Sequence, residues 1–115
     1  MSEQIKVRHS GGVTILDISG RITLGEGSVG LRDAVHKELA AGNKKLLLNL
    51  AGVSYMDSSG VGELTSAYSS VKHQGGEVKL VNLTKKVDGL MQITKLATVF
   101  DIAGDESSAI ASFKA

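Results

Sequence analysis

Apolar side chains recur along this chain with two alternating periods. Ile5 to His9 reads as a short strand, Ser10-Gly11-Gly12 is a turn signal, and Val13-Thr14-Ile15-Leu16-Asp17-Ile18 resumes the strand pattern. Together these predict an antiparallel hairpin. Leu31, Ala34, Val35, Glu38 and Leu39 follow a helical repeat, with Arg32, Asp33, His36 and Lys37 on the other face and Gly42-Asn43 as a stop. Leu46-Leu47-Leu48-Asn49-Leu50 is apolar on both faces, which suits a central strand covered on two sides or a buried edge. A second helix is expected from about Gly60 to His73, with Val61, Leu64, Tyr68 and Val71 in its pattern and Gly75-Gly76 ending it. Val78 to Val81 is the next strand, and Leu83, Val87, Leu90, Met91 and Thr94 make a third helical stripe. Thr98 to Ile102 reads as a short final strand, and Gly104-Asp105 caps a last helix carrying Ala109, Ile110 and Phe113.

From residue 45 onward strands and helices alternate, which implies parallel strands joined by right-handed crossovers, and the N-terminal hairpin makes the sheet mixed. The expectation is one α/β domain over residues 1–115, with no linker, internal repeat or low-complexity segment. A chain of 115 residues holds one domain and is too short for two.

Composition narrows the chemistry. The apolar fraction is 42% but aromatics are only 3% and Trp is absent, so the core must be aliphatic. Thirteen basic and twelve acidic side chains leave a net charge of +1, and stacking aromatics are missing, so no nucleic acid partner is expected. The absence of Cys excludes disulfides, thiolate chemistry and Cys-ligated zinc. Met1 to Lys6 has no apolar signal core and no run approaches the roughly 18 apolar residues of a membrane span, so no membrane insertion and a cytoplasmic location are expected.

Three segments offer candidate sites. Gly25-Glu26-Gly27-Ser28-Val29-Gly30 is a literal G-x-G-x-x-G ahead of a helix. Four residues separate it from Gly20 at the expected strand end, and Asn49-Leu50-Ala51-Gly52 lacks the ribose-binding acid a dinucleotide fold needs. It is therefore read as a flexible loop whose glycines serve turn geometry, and no cofactor is assigned. Hydrolase chemistry at Ser58 or Ser59 fails because Met56 stands where a nucleophile elbow needs its first glycine. His9, His36 and His73 are scattered, read as solvated surface residues, and fit no metal-site spacing. No catalytic residue is assigned.

The third segment is Asp57-Ser58-Ser59-Gly60, between the apolar run and the second helix. A helix N-terminus there would present unpaired N–H groups and the positive end of the dipole to a phosphate. Ordinary N-capping is worth about 1 kcal/mol and needs one such residue, whereas three stand in a row, followed by Gly60 and Gly62 around Val61. Those glycines lower helix propensity where a partner's backbone would approach. Ser59 is expected mainly to cap the helix. Residue chemistry thus favours a switch over a catalyst.

The chain resembles the STAS domain family of bacterial anti-sigma factor antagonists over about residues 5 to 113. Met56-Asp57-Ser58-Ser59-Gly60-Val61-Gly62 matches that family's D-S-[ST]-G-[LV]-G loop. Leu31-Arg32-Asp33, Gly76 to Val81 and Ile93 to Ile102 match further. The resemblance implies a small mixed β-sheet with about four helices packed mainly on one side. It implies phosphorylation at Ser58, with Asp57 shaping the loop and Ser59, Gly60, Val61 and Gly62 forming the partner-contacting helix start. The implied partners are a serine/threonine kinase acting as anti-sigma factor and a PP2C-type phosphatase. The unphosphorylated antagonist would hold the kinase and free a sigma factor. A regulatory STAS subunit of a transporter or stress-signalling scaffold, with no phosphorylation cycle, is the alternative. One departure concerns Gly20-Arg21-Ile22-Thr23, where many antagonists carry an acidic G-E-L-D segment. Arg21 and Thr23 thereby bear on partner choice.

Overall fold

The computed structural model describes residues 3–22, 26–95 and 100–113. Elements follow as β1 (Glu3–Ser10), β2 (Val13–Ile22), α1 (Glu26–Ala40), β3 (Lys45–Met56), α2 (Ser58–His73), β4 (Glu77–Val81), α3 (Lys85–Ile93), β5 (Asp101–Ala103) and α4 (Glu106–Ser112). The sheet order is β1-β2-β3-β4-β5, so every strand pairs with its neighbours in sequence. β1 and β2 are antiparallel, from Glu3↔Gly20 to Ser10↔Val13. The β2–β3, β3–β4 and β4–β5 pairs are parallel. The mixed sheet is thus the one expected, with β3 at its centre.

Strand alternation splits the apolar residues between two cores. Leu16, Ile18, Leu46, Leu48, Leu50 and Leu80 join Leu31, Val35, Leu64, Val71, Val87 and Met91 of the first three helices on one face. Val13, Ile15, Leu47 and Val81 meet Ala109 and Phe113, from α4 and its C-cap, on the other. The run Leu46 to Leu50 is apolar on both faces because its odd and even positions serve different helices.

Several boundaries differ from the expected ones. β2 does not stop at Ile18 but runs through Gly20, whose φ is +97°, to Ile22. β3 continues past Leu50 to Met56, and register shifts between Asp17 and Ser19 and between Gly20 and Arg21 mark where it carries extra residues. The close approach at Gly52 has a steric cause: a Cβ there would lie 2.7 Å from the Ser19 Cβ. The second helix starts at Ser58, not Gly60. The expected loop at Gly25–Gly30 is helical from Glu26 onward, so Gly27 and Gly30 sit within α1 instead of in a phosphate-cradling turn. Gly25 lies outside the described residues. So do Thr98 and Val99 of the expected last strand; Phe100 is described but stands outside the strand, which runs over Asp101–Ala103.

Candidate functional site

The segment 55–62 passes directly from the end of β3 into α2. Asp57 has extended backbone angles (φ −110°, ψ −172°) and caps the helix. Its Oδ1 accepts from the Ser59 N–H at 3.0 Å and the Gly60 N–H at 3.1 Å. The Asp57 carbonyl accepts from Val61 N–H at 3.1 Å, closing the first helical turn. The Asp57 N–H donates to the Ile22 carbonyl at 3.4 Å, which ties the cap to the end of β2. Asp57, not Ser59, therefore performs the capping, and Ser59 is the second helical residue. The cap also alters the electrostatics expected for the loop. Two of the N–H groups that would otherwise face an incoming phosphate already hold a carboxylate.

Ser58 is the first residue of α2 and follows the capping carboxylate directly. Gly60 is buried, and a Cβ there would lie 2.5 Å from the Ile22 carbonyl oxygen and 2.6 Å from the Met56 Cγ. Its bareness serves close approach of α2 to the chain's own strands. Val61 is also buried, packed in the larger core with Leu64 and Ala67. Neither residue offers the surface expected of it. Gly62 is exposed, and a Cβ at this position would meet nothing within 4 Å. Within the expected contact set, Gly62 is exposed, Asp57 and Ser59 are partly exposed, and Gly60 and Val61 shape the helix from beneath.

Two neighbours escape the sequence pattern. Arg32 of α1 forms an ion pair with Glu63 of α2, which keeps its guanidinium above its ordinary pKa. Helix periodicity places both residues on polar faces but says nothing about two helices meeting there. Arg21 lies over the Tyr55 ring, 5.1 Å from its centroid, and the two are paired across β2 and β3. Their neighbours Ile22 and Met56 point into the larger core, so alternation turns Arg21 and Tyr55 to the opposite side of the sheet. The histidines do not converge: His9 contacts Thr14, His36 contacts Ser70, and His73 lies at the end of α2. Among the described residues, no three His, Cys, Asp or Glu side chains are grouped to hold a metal, and no helix is long and apolar enough to cross a membrane.

Comparison with known proteins bears on the family and the fold. The family model described as "STAS domain" matches residues 4–109. The anti-sigma-B factor antagonist of Bacillus subtilis (strain 168) is 32% identical over 110 residues, covering 96% of this chain and 99% of that protein. The fold is similar to that of an anti-sigma factor antagonist from Mycobacterium paratuberculosis, with a TM-score of 0.83 at 19% identity over 97% of this chain and 94% of that one. It is also similar to the Bacillus cell fate determinant SpoIIAA in its phosphorylated form, with a TM-score of 0.69 at 18% identity over 91% of this chain and 96% of that one. The chain belongs to the STAS domain family of anti-sigma factor antagonists.

Proposed function

We propose that this chain is a partner switch controlled at Ser58. Unphosphorylated, it binds an anti-sigma serine/threonine kinase and frees a sigma factor. The kinase transfers the γ-phosphoryl group of ATP to the Ser58 hydroxyl, ADP leaves, and the complex dissociates. A PP2C-type phosphatase hydrolyses the phosphoserine and resets the switch.

One observation carries this reading: Ser58 is the first helical residue, directly after the carboxylate of Asp57 that caps the helix. A phosphoserine adds about −1.5 to −2 charge at pH 7. With the Ser59 and Gly60 N–H groups already bonded to Asp57, that charge adds to a local anion. Either the phosphate displaces the cap or the two repel. Both outcomes disturb the first turn of α2, and a packed interface must also desolvate the new dianion. A modest effect suffices, since about 1.4 kcal/mol changes affinity tenfold.

The test is a pull-down from source-cell lysate with wild-type, Ser58→Ala and Ser58→Glu baits, the captured proteins being identified by mass spectrometry. A kinase held by wild type and Ser58→Ala but lost by Ser58→Glu supports the switch, and only the wild-type chain should be phosphorylated by it. Equal capture of that kinase by Ser58→Ala and Ser58→Glu overturns the reading.

A further inference from the structure

The chain has three arginines. Arg8 is bonded to Asp17 and Glu106, and Arg32 to Glu63. Arg21 has no carboxylate partner among the described residues and instead stacks on Tyr55. Its place in the sheet is unusual. The β3–β4 pairing ends at Asn49↔Val81 and the β1–β2 pairing at Glu3↔Gly20. The rungs Arg21↔Tyr55 and Ile22↔Met56 are therefore flanked by no third strand among the described residues. Among the described residues, Arg21 and Tyr55 thus sit at the end of a two-stranded stretch, on the side away from the larger core, and neither belongs to the cluster that α4 packs against. Tyr55 keeps 38% of its surface exposed. Two residues further along the chain is Asp57, whose N–H is bonded to the residue after Arg21.

We infer that the Arg21–Tyr55 pair is a specificity contact that receives a carboxylate from the kinase bound at the α2 start. This rests on the switch proposed above and supplies the charge its partner must present. With its Cζ 5.1 Å from the ring centroid, the guanidinium interacts with the ring through its charge and still carries five N–H donors. A guanidinium donates to a carboxylate through two parallel hydrogen bonds. The ring also restrains the arginine, so less rotamer freedom is lost on binding than for a free side chain. Arg and Tyr are residue types that carry much of the energy of interfaces, and here they lie side by side with no ion pair to Arg21 among the described residues. A partner carrying a cation at this point would be repelled by Arg21, so the pair selects between kinases as well as attracting one.

The experiment uses the purified kinase captured by the wild-type chain and measures its affinity and association rate for wild type, Arg21→Lys, Arg21→Glu and Tyr55→Ala at low and high salt. Arg21→Glu is expected to weaken binding about tenfold or more, chiefly at low salt through a slower association rate. Arg21→Lys falls between, because an ammonium keeps the charge and loses the planar edge. Reversing the facing kinase carboxylate to arginine should restore affinity for Arg21→Glu. Unchanged thermal unfolding of each variant separates these losses from misfolding. Equal affinity of wild type and Arg21→Glu overturns the inference while leaving the Ser58 switch intact. If the wild-type chain captures no kinase, the switch and the contact fall together.

Discussion

Gly60 and Gly62 stand two positions apart on one helix and answer to different constraints. A side chain at Gly60 would collide with the Ile22 carbonyl and Met56, and the nearer obstacle is backbone that cannot rotate away. Gly60→Ala is expected to destabilise the fold by about 1–3 kcal/mol, as overpacking does. Gly62 faces open space, so Gly62→Ala should stabilise by up to about 1 kcal/mol through helix propensity. Urea denaturation midpoints compare the two, and shifts in the same direction would contradict the packing argument. This pair also marks how far residue chemistry is legible. Asp57-Ser58-Ser59-Gly60 announces a helix entry, but three consecutive residues suited to capping give no basis for choosing the cap. The choice is made by the Ile22 carbonyl, which fixes the Asp57 backbone from a strand thirty-five positions earlier (57 − 22).

At the scale of elements, the legible parts are those buried on two sides. Leu46 to Leu50 identifies the central strand because helices cover both its faces. The continuation from Ala51 to Met56 is hidden, since among the described residues it pairs with β2 alone and carries exposed Ala51, Gly52, Ser54 and Tyr55. The start of α1 is hidden for another reason: Gly27, Ser28 and Gly30 are weak helix formers, yet the helix includes them. α4 is legible from its Asp105 cap, whose Oδ1 accepts from Ser108 N–H at 2.8 Å. This short helix and Phe113 just after it cover Val13, Ile15, Leu47 and Val81 on their side of the sheet. Phe113 also lies under the Lys79 ammonium, 5.4 Å from its ring centroid. Phe113→Ala should therefore cost about 3 kcal/mol. It should also expose the sheet face, raising binding of an apolar dye such as ANS at equilibrium; unchanged stability and no added dye binding would show that α4 holds without it.

Over the whole molecule, an ion network joins distant parts of the chain. Arg8 on β1 bonds Asp17 on β2 at 2.8 Å and Glu106 on α4 at 2.7 Å. Asp17 also accepts from the Asn49 amide on β3 at 2.8 Å, and Asn49 in turn accepts from Asn82 at 3.1 Å. The Arg8 guanidinium holds the Asp17 carboxyl below its ordinary range, with Asn49 helping and partial burial opposing. A carboxyl with a lowered folded pKa stabilises the fold above its unfolded pKa, about 3.9, and that contribution is lost as pH falls through the folded value. Asp17→Asn should accordingly lower stability at pH 7, and the difference from wild type should shrink below about pH 4. Denaturation series at neutral and acid pH check this; a gap that widens in acid would exclude the assigned sign. Solvent exposure of the Arg8 side chain, 45%, keeps the effect modest. None of this network is legible in the sequence, because Arg8 and Glu106 are ninety-eight positions apart (106 − 8). The alternation of strands and helices is legible, and with it the mixed sheet.

The order of strands in the sheet has a consequence for how the chain is made. Each strand lies beside the one synthesised immediately before it, so a ribosome delivers the sheet from one edge to the other. At roughly 5–20 residues per second, β3 follows β2 out of the exit tunnel within seconds and finds its partner already waiting. No strand must be held in reserve for a later neighbour to be inserted between two earlier ones. The face that α4 covers is the exception: Val13 and Ile15 are made early and stay uncovered until Ala109 and Phe113 emerge. The cover over that apolar strip thus comes from residues made about a hundred positions after it.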